Sequence, residues 1–180
     1  MNRLKNQRCY LSGAMEFCAD FGAEWRKKAR SDLRDMGLVF LDPTDKPIDA
    51  IDEPTLLRSL QIARQTEDYE AIAEKKFIRH IDLRLCDLAD FLIVNLDTTI
   101  NTCGTWEEIF NSNREKKPIL VRIVQGKIHA PTWLLWTIPH QHIFSTWDEL
   151  YANLRDIDTN VNSSTYNRWL FFDLDSDRVR

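Results

Sequence analysis

Glycine and proline are scarce in this chain, at five and six positions among 180 residues, and cysteine is limited to Cys9, Cys18, Cys86 and Cys103. With so few breakers and 43% hydrophobic residues, collagen-like, low-complexity and globally disordered classes are excluded. No two cysteines have C-x-x-C spacing, so neither a disulfide framework nor a zinc finger is indicated. His129, His140 and His142 lie close together but follow no zinc pattern, and no metal is expected. No run approaches the ~20 apolar residues of a membrane span. The opening Met1–Arg8 carries no signal-peptide hydrophobic region, so reduced thiols in a cytoplasm are the expectation. Charge of one sign is missing as well: 24 Lys+Arg against 28 Asp+Glu leave a net charge of −4, which argues against a stable nucleic-acid complex. The chain also lacks a three-glycine dinucleotide fingerprint, a Walker A loop and a G-x-S-x-G elbow.

What is present is the composition of one globular domain, long enough to bury about 70% of the surface its unfolded chain exposes. Arg8 to Ser12 reads as a first strand ending at Gly13. A helix from Asp20 to Met36 follows, with Phe21, Trp25, Ala29, Leu33 and Met36 as its buried stripe. Gly37 ends it, and Leu38–Leu41 forms a second strand. Lys46 to Glu53 reads as an insertion or lid-like loop. Pro54 to Leu88 reads as two helices, with Ile72, Phe77, Ile81 and Leu85 as a stripe. Phe91–Leu96 is nearly unbroken in its apolar character, as a central parallel strand covered on both faces requires. A helix from Trp106 to Arg114 and a strand from Pro118 to Ile123 come next, while Gln125 to His142 has no assignable pattern. His142–Phe144 is the candidate fifth strand, followed by a helix over Trp147–Leu154 capped by Ser145 or Thr146. The expected fold is therefore α/β: a doubly wound, flavodoxin-like parallel sheet of about five strands with helices on both faces. Residues 1–155 are expected to form the domain. Residues 156–180 read as a polar linker and an apolar tail, Trp169–Phe172, that packs on the body or on a partner subunit.

In such a sheet, ligands collect beyond the carboxyl ends of the strands. Four segments fall there: Ser12–Glu16, Asp42–Thr44, Asn95–Asp97 and Thr102–Glu108. Gly104 lets the chain turn closely past a ligand, and a helix beginning near Thr105 offers free amides to a polar oxygen. Glu107 and Glu108 then occupy its first turn, one facing solvent and the other the crevice. The same residues fit a capping box of Thr105 with Glu108, which competes with a catalytic role. Asp82, Asp87 and Asp90 form a second acidic set. Asp90 marks the turn into the third strand, and Asp82 either reaches the crevice or pairs with Arg79 or Arg84. Trp133, Trp136 and Trp147 either wall an aromatic pocket or pack in the core. No arginine lies near Ser12, Thr102 or Thr105 in sequence, which favours an uncharged ligand over a phosphorylated one.

The ordered series Tyr10-Leu11-Ser12-Gly13, Asp42-Pro43, Asp82 through Ala89-Asp90, Cys103-Gly104-Thr105-Trp106-Glu107-Glu108 and Lys117-Pro118 resembles the nucleoside 2-deoxyribosyltransferase family, including its nucleotide N-glycosidase relatives and phage-type members. The resemblance runs from Tyr10 to Val121. It implies Glu108, four residues after Gly104, as nucleophile, and Asp82 as proton donor or base-positioning group. Tyr10 and Gly13 would line the sugar–base pocket, with Ser12, Thr102, Gly104 and Thr105 as further substrate contacts and Asp42 and Asn95 shaping the crevice. Two departures stand out. Thr102 occupies a position where many members carry an aspartate that binds the sugar hydroxyls, and Phe110-Asn111-Ser112 replaces a frequent Gly-Tyr-Ala.

The implied activity is transfer of a 2-deoxyribosyl group between nucleobases, by retaining double displacement through a covalent glutamyl intermediate and without a cofactor. Two alternatives stay open: a hydrolytic N-glycosidase acting on 2′-deoxynucleosides or their 5′-monophosphates, and a non-catalytic nucleotide sensor. The implied partners are a deoxynucleoside or deoxynucleotide, a free nucleobase, and further copies of the chain in a homo-oligomer. The expected location is the cytoplasm, that of the host for a phage-encoded chain.

Overall fold

The computed structural model describes residues 2–46, 53–160 and 168–169. Five parallel strands, β1 (Arg8–Gly13), β2 (Val39–Leu41), β3 (Phe91–Leu96), β4 (Ile119–Ile123) and β5 (Ile143–Phe144), lie in the order β2-β1-β3-β4-β5. Among the described residues, seven α-helices accompany them: α1 (Ala23–Asp32), α2 (Glu53–Gln65), α3 (Tyr69–Glu74), α4 (Phe77–Leu88), α5 (Cys103–Arg114), α6 (Thr132–Thr137) and α7 (Trp147–Thr159). The two-residue period of the strands distributes their side chains between two cores. Cys9, Leu11, Phe91, Ile93 and Leu120 face one way, where Leu33 and Met36 beyond α1 and Leu150, Leu154 and Ile157 of α7 meet them. Tyr10, Leu92, Val94, Ile119 and Val121 face the other, against Leu85 of α4, Ile109 of α5 and Leu134 of α6. The sheet is covered on both faces, and the doubly wound expectation holds.

Several local expectations need correction. The helix expected over Asp20–Met36 is shorter: Phe21 takes a left-handed φ of 53° ahead of α1, and the chain tightens into a 3₁₀ turn at Arg34–Met36. Asp20 bonds the amides of Gly22 and Glu24 and so builds the helix entry instead of joining it. Gly37 does close this segment, at φ 66°. Pro54 to Leu88 holds three helices rather than two. The Thr66-Glu67 turn separates α2 from α3, which Asp68 caps at Ala71, and Phe77 is exposed because it sits at the start of α4. The unassigned stretch resolves into 3₁₀ turns around α6.

Thr146 caps α7 in a reciprocal box with Glu149, and the helix runs to Thr159, past the expected start of a linker at 156. Trp169 is fully buried against Phe91, with ring centroids 5.1 Å apart, so this residue of the apolar tail packs on the body. Of the lid-like loop expected over Lys46–Glu53, Glu53 already begins α2, while residues 47–52 and the rest of the tail lie outside the described residues. Trp133 and Trp136 are exposed and tilt against each other, whereas Trp147 stacks between Trp25 and Tyr151. The three tryptophans form no common pocket. Among the described residues, no helix is long and apolar enough to cross a membrane, and no cluster has the make-up of a metal site.

Candidate active site

The strand order reverses between β1 and β3, and the carboxyl ends of these two strands open a crevice at that switch. Gly13 ends β1 where a side chain would collide. A Cβ there would stand 2.9 Å from both the Asn95 carbonyl oxygen and the Trp25 ring. The chain then swings out through Ala14–Phe17 to form one wall of a cavity of about 480 Å³. The opposite wall is the start of α5.

That helix begins earlier than its sequence suggests, and this changes the meaning of its carboxylates. Thr102 is the N-cap and Cys103 the first helical residue, so Glu107 and Glu108 sit in the second turn. The capping box expected of Thr105 with Glu108 does not exist. Thr105 is buried inside the helix, and Glu108 spends its oxygens elsewhere. Gly104 makes no tight turn; it lies within the helix, and a Cβ added to it meets nothing within 4 Å.

Glu108 is 9% exposed and lies in the cavity floor. The Tyr10 hydroxyl donates to its Oε1 at 2.8 Å and the Ser12 hydroxyl to its Oε2 at 2.5 Å. Tyr10 and Ser12 are two apart on β1 and so point to the same face, toward α5. Burial raises the Glu108 carboxyl from 4.5 to about 7. The Ser12 and Tyr10 hydroxyls pull against this rise, the charge of Asp82 adds to it, and the Arg26 guanidinium opposes it. Burial, reinforced by the neighbouring Glu108 charge, holds the Tyr10 phenol well above its usual range, so it remains a donor. Glu107, the outward neighbour, is gripped by Arg79.

Asp82 lines the same cavity from α4. Among the described residues the structure pairs it with the Lys46 ammonium at 3.0 Å, on a side chain only 2% exposed, and Arg79 goes instead to Glu107. Thr102 also lines the cavity, 8% exposed, and its hydroxyl finds no hydrogen-bond partner among the described residues. A buried hydroxyl left without a partner costs free energy until something bonds it, which makes Thr102 a waiting contact. The other departure from the family pattern is inward: Ser112 contacts Cys86 at 3.1 Å, and Phe110 stacks on Trp106. That segment belongs to helix packing.

Four expected contacts lie outside the cavity wall: Tyr10 and Ser12 are fully buried behind Glu108, and Asp42 and Asn95 lie farther off. Asp42 is buried behind β1, where it accepts from Thr44 and Arg30, and Asn95 accepts from Arg122 at 2.9 Å. Asp42 acts on the site through a residue that no sequence pattern singled out. Arg26 of α1 is fully buried and donates to the carbonyls of Leu11, Gly13 and Gly22 at 3.1, 2.9 and 2.9 Å, with Asp42 at 3.8 Å. It ties down the end of β1 that carries Ser12. Arg64 was also missed. It arrives from α2, bonds Glu16, lies over the Phe17 ring at 5.3 Å and stands in the cavity wall. An arginine 48 residues from its partner leaves no local trace. No arginine is near the site in sequence, but one distant in the chain folds into its wall.

Neither a protein-family model nor a curated protein matches the chain. Among solved structures, a 2-deoxyribosyltransferase from the psychrotolerant bacterium Bacillus psychrosaccharolyticus aligns with a TM-score of 0.56 at 18% identity, covering 79% of this chain and 89% of that one. A 2-deoxyribosyltransferase from Leishmania mexicana aligns with a TM-score of 0.54 at 16% identity, covering 81% and 95%. The shared feature at these identities is the fold, in agreement with the fold expected from the alternation of strands and helices.

Proposed function

We propose that this protein breaks and re-forms the N-glycosidic bond of 2′-deoxynucleosides, transferring the 2-deoxyribosyl group from one nucleobase to another. The observation that carries this reading is the buried Glu108 carboxylate, with each oxygen fixed by a hydroxyl from β1, in the floor of the cavity at the switch point. Its free lone pairs attack C1′ of the sugar as the C1′–N bond breaks and its electron pair passes to the base. The Asp82 carboxylate, held by Lys46, positions the departing base, whose nitrogen takes its proton from solvent. The Thr102 hydroxyl binds a sugar hydroxyl in place of the family's aspartate. In the second half an acceptor base attacks C1′ from the opposite face, surrenders its proton to solvent and returns the bonding pair to Glu108. Two inversions retain the anomeric configuration.

Arg64 in the cavity wall favours a second reading, in which the substrate carries a 5′-phosphate and water resolves the intermediate. The exposed Ile128, Trp133, Leu135 and Trp136 support a homo-oligomer. The test is incubation with 2′-deoxynucleosides and their monophosphates, with and without a free base, followed by chromatography. New nucleoside that needs both acceptor and Glu108 is the expected result; base release without exchange selects the hydrolase. A slow 2-fluoro-deoxynucleoside should leave a deoxyribosyl adduct on Glu108 by intact mass, and its absence from a protein that turns over removes the covalent step. Ligand binding without any product, equal in the E108A protein, would leave the sensor.

A further inference from the structure

Cys103, the first residue of α5, is an exposed thiol in a chain whose other cysteines are wholly or partly buried. Burial holds the Cys9 thiol well above its usual range, pushes Cys86 up to about 12 and raises Cys18 as well, so these three stay protonated and unreactive. Cys103 lines the cavity of about 480 Å³ beside Thr102. It also lines a neighbouring cavity of about 570 Å³, and Asp82, Gly104 and Glu108 are common to both. The thiol therefore stands where the two spaces meet.

Two features mark this place as built to hold a ligand. The Thr102 hydroxyl, on a residue 8% exposed, has no hydrogen-bond partner among the described residues and lines the same cavity. As N-cap, Thr102 also makes no side-chain bond to α5, so the amides of the first turn are left for a carboxylate or another polar oxygen. There is room as well. The Cys103 thiol donates to Asn101 Oδ1 at 3.5 Å, and a Cβ added to its neighbour Gly104 meets nothing within 4 Å.

We infer that Cys103 is a thiolation site. It takes up one half of a small carboxylate-bearing disulfide, of the glutathione class, and the adduct shuts the cavity to any ligand that would bond Thr102. The Cys103 thiolate attacks one sulfur of the disulfide. The new S–S bond forms as the old one breaks, and the leaving sulfur takes the electron pair and a solvent proton. Cys103 is thereby oxidised and the released half reduced to a thiol; a second thiol reverses the exchange. The carboxylates of the adduct accept from the first-turn amides of α5. Adduct and exclusion rest on the cavity alone, and only the loss of turnover rests on the glycosyl-transfer reading.

The test is treatment of the reduced protein with glutathione disulfide, followed by intact mass and peptide mapping. One glutathionyl group should appear, on Cys103, and none on the Cys103→Ser protein. At saturation, 2′-deoxyadenosine or its monophosphate should slow the attachment by about 10-fold or more, and the finished adduct should weaken binding of the same ligand by as much in calorimetry. Dithiothreitol should restore that binding, while binding by C103S should not respond to the disulfide. No adduct, an adduct spread over Cys9, Cys18 or Cys86, or an adduct on Cys103 that neither ligand slows overturns the inference. If the ligand controls thiolation of Cys103 while no form of the protein turns a nucleoside over, the thiolation site stands and the transfer reading falls.

Discussion

Replacing Glu108 by glutamine removes the charge of the site while keeping its shape, and this isolates what the site costs the fold. Burial raises the carboxyl from 4.5 to about 7, so between these pH values the folded protein holds a proton that the unfolded chain has released. Stability then falls as pH climbs through that interval and is level above it. Each pH unit is worth about 1.4 kcal/mol, so an ionised Glu108 costs the fold about 3 kcal/mol above pH 7. Glutamine resembles the neutral acid and escapes that cost. The E108Q protein is expected to match the wild type near pH 4.5 and to exceed it by up to about 3 kcal/mol at pH 8, a rise in Tm of about 6 °C or more for a chain of this size. His142 has the opposite slope. Burial lowers it from 6.5 to about 4, so it adds stability as pH rises between these values. It is common to both proteins and cancels in their difference. Paired urea titrations from pH 4.5 to 8.5 measure the difference directly. A gap that does not grow with pH, or an E108Q protein that is the weaker at pH 8, would refute the reasoning.

Ser12→Ala removes a hydrogen bond that favours the Glu108 carboxylate. The rising limb of kcat/KM, expected near pH 7, should therefore move up by about 1 pH unit. A limb that stays in place would detach Ser12 from the ionisation of Glu108. Arg26→Met leaves Asp42 without its buried cation and releases three carbonyls at the end of β1 and the start of α1. The expected loss is about 3–5 kcal/mol in urea unfolding, and less than about 1 would deny Arg26 its tying role. Gly104→Ala should stabilise the protein by less than about 1 kcal/mol, since the place of its Cβ in the first turn of α5 is empty. A less stable variant in urea unfolding would refute that the place is empty.

The strands and the division of the core were legible because burial has a local period. Phe91–Leu96 reads as covered on both faces, and in the structure its alternate residues enter the two cores. Gly37 was equally plain, since its left-handed backbone suits a residue without a Cβ. Helix starts were not plain. At α5 the sequence reads Thr105 as the cap, whereas the structure starts the helix three residues earlier, after Thr102. The choice of Thr102 moves Glu108 from a capping role in the first turn to the cavity floor in the second.

By itself, then, the sequence determined a doubly wound α/β sheet, its five strands in chain order and the strand ends around which a site would gather. Through the ordered motifs it also nominated Glu108. Only the tertiary structure decided what that carboxylate experiences. Tyr10 is 98 residues from Glu108, the Lys46 ammonium is buried against Asp82, and Arg26 fastens the strand that carries Ser12. The reason is physical. Burial of a helix face or strand face repeats every few residues and is written locally, whereas the perturbation of a buried charge depends on which distant groups the fold brings within a few ångströms of it.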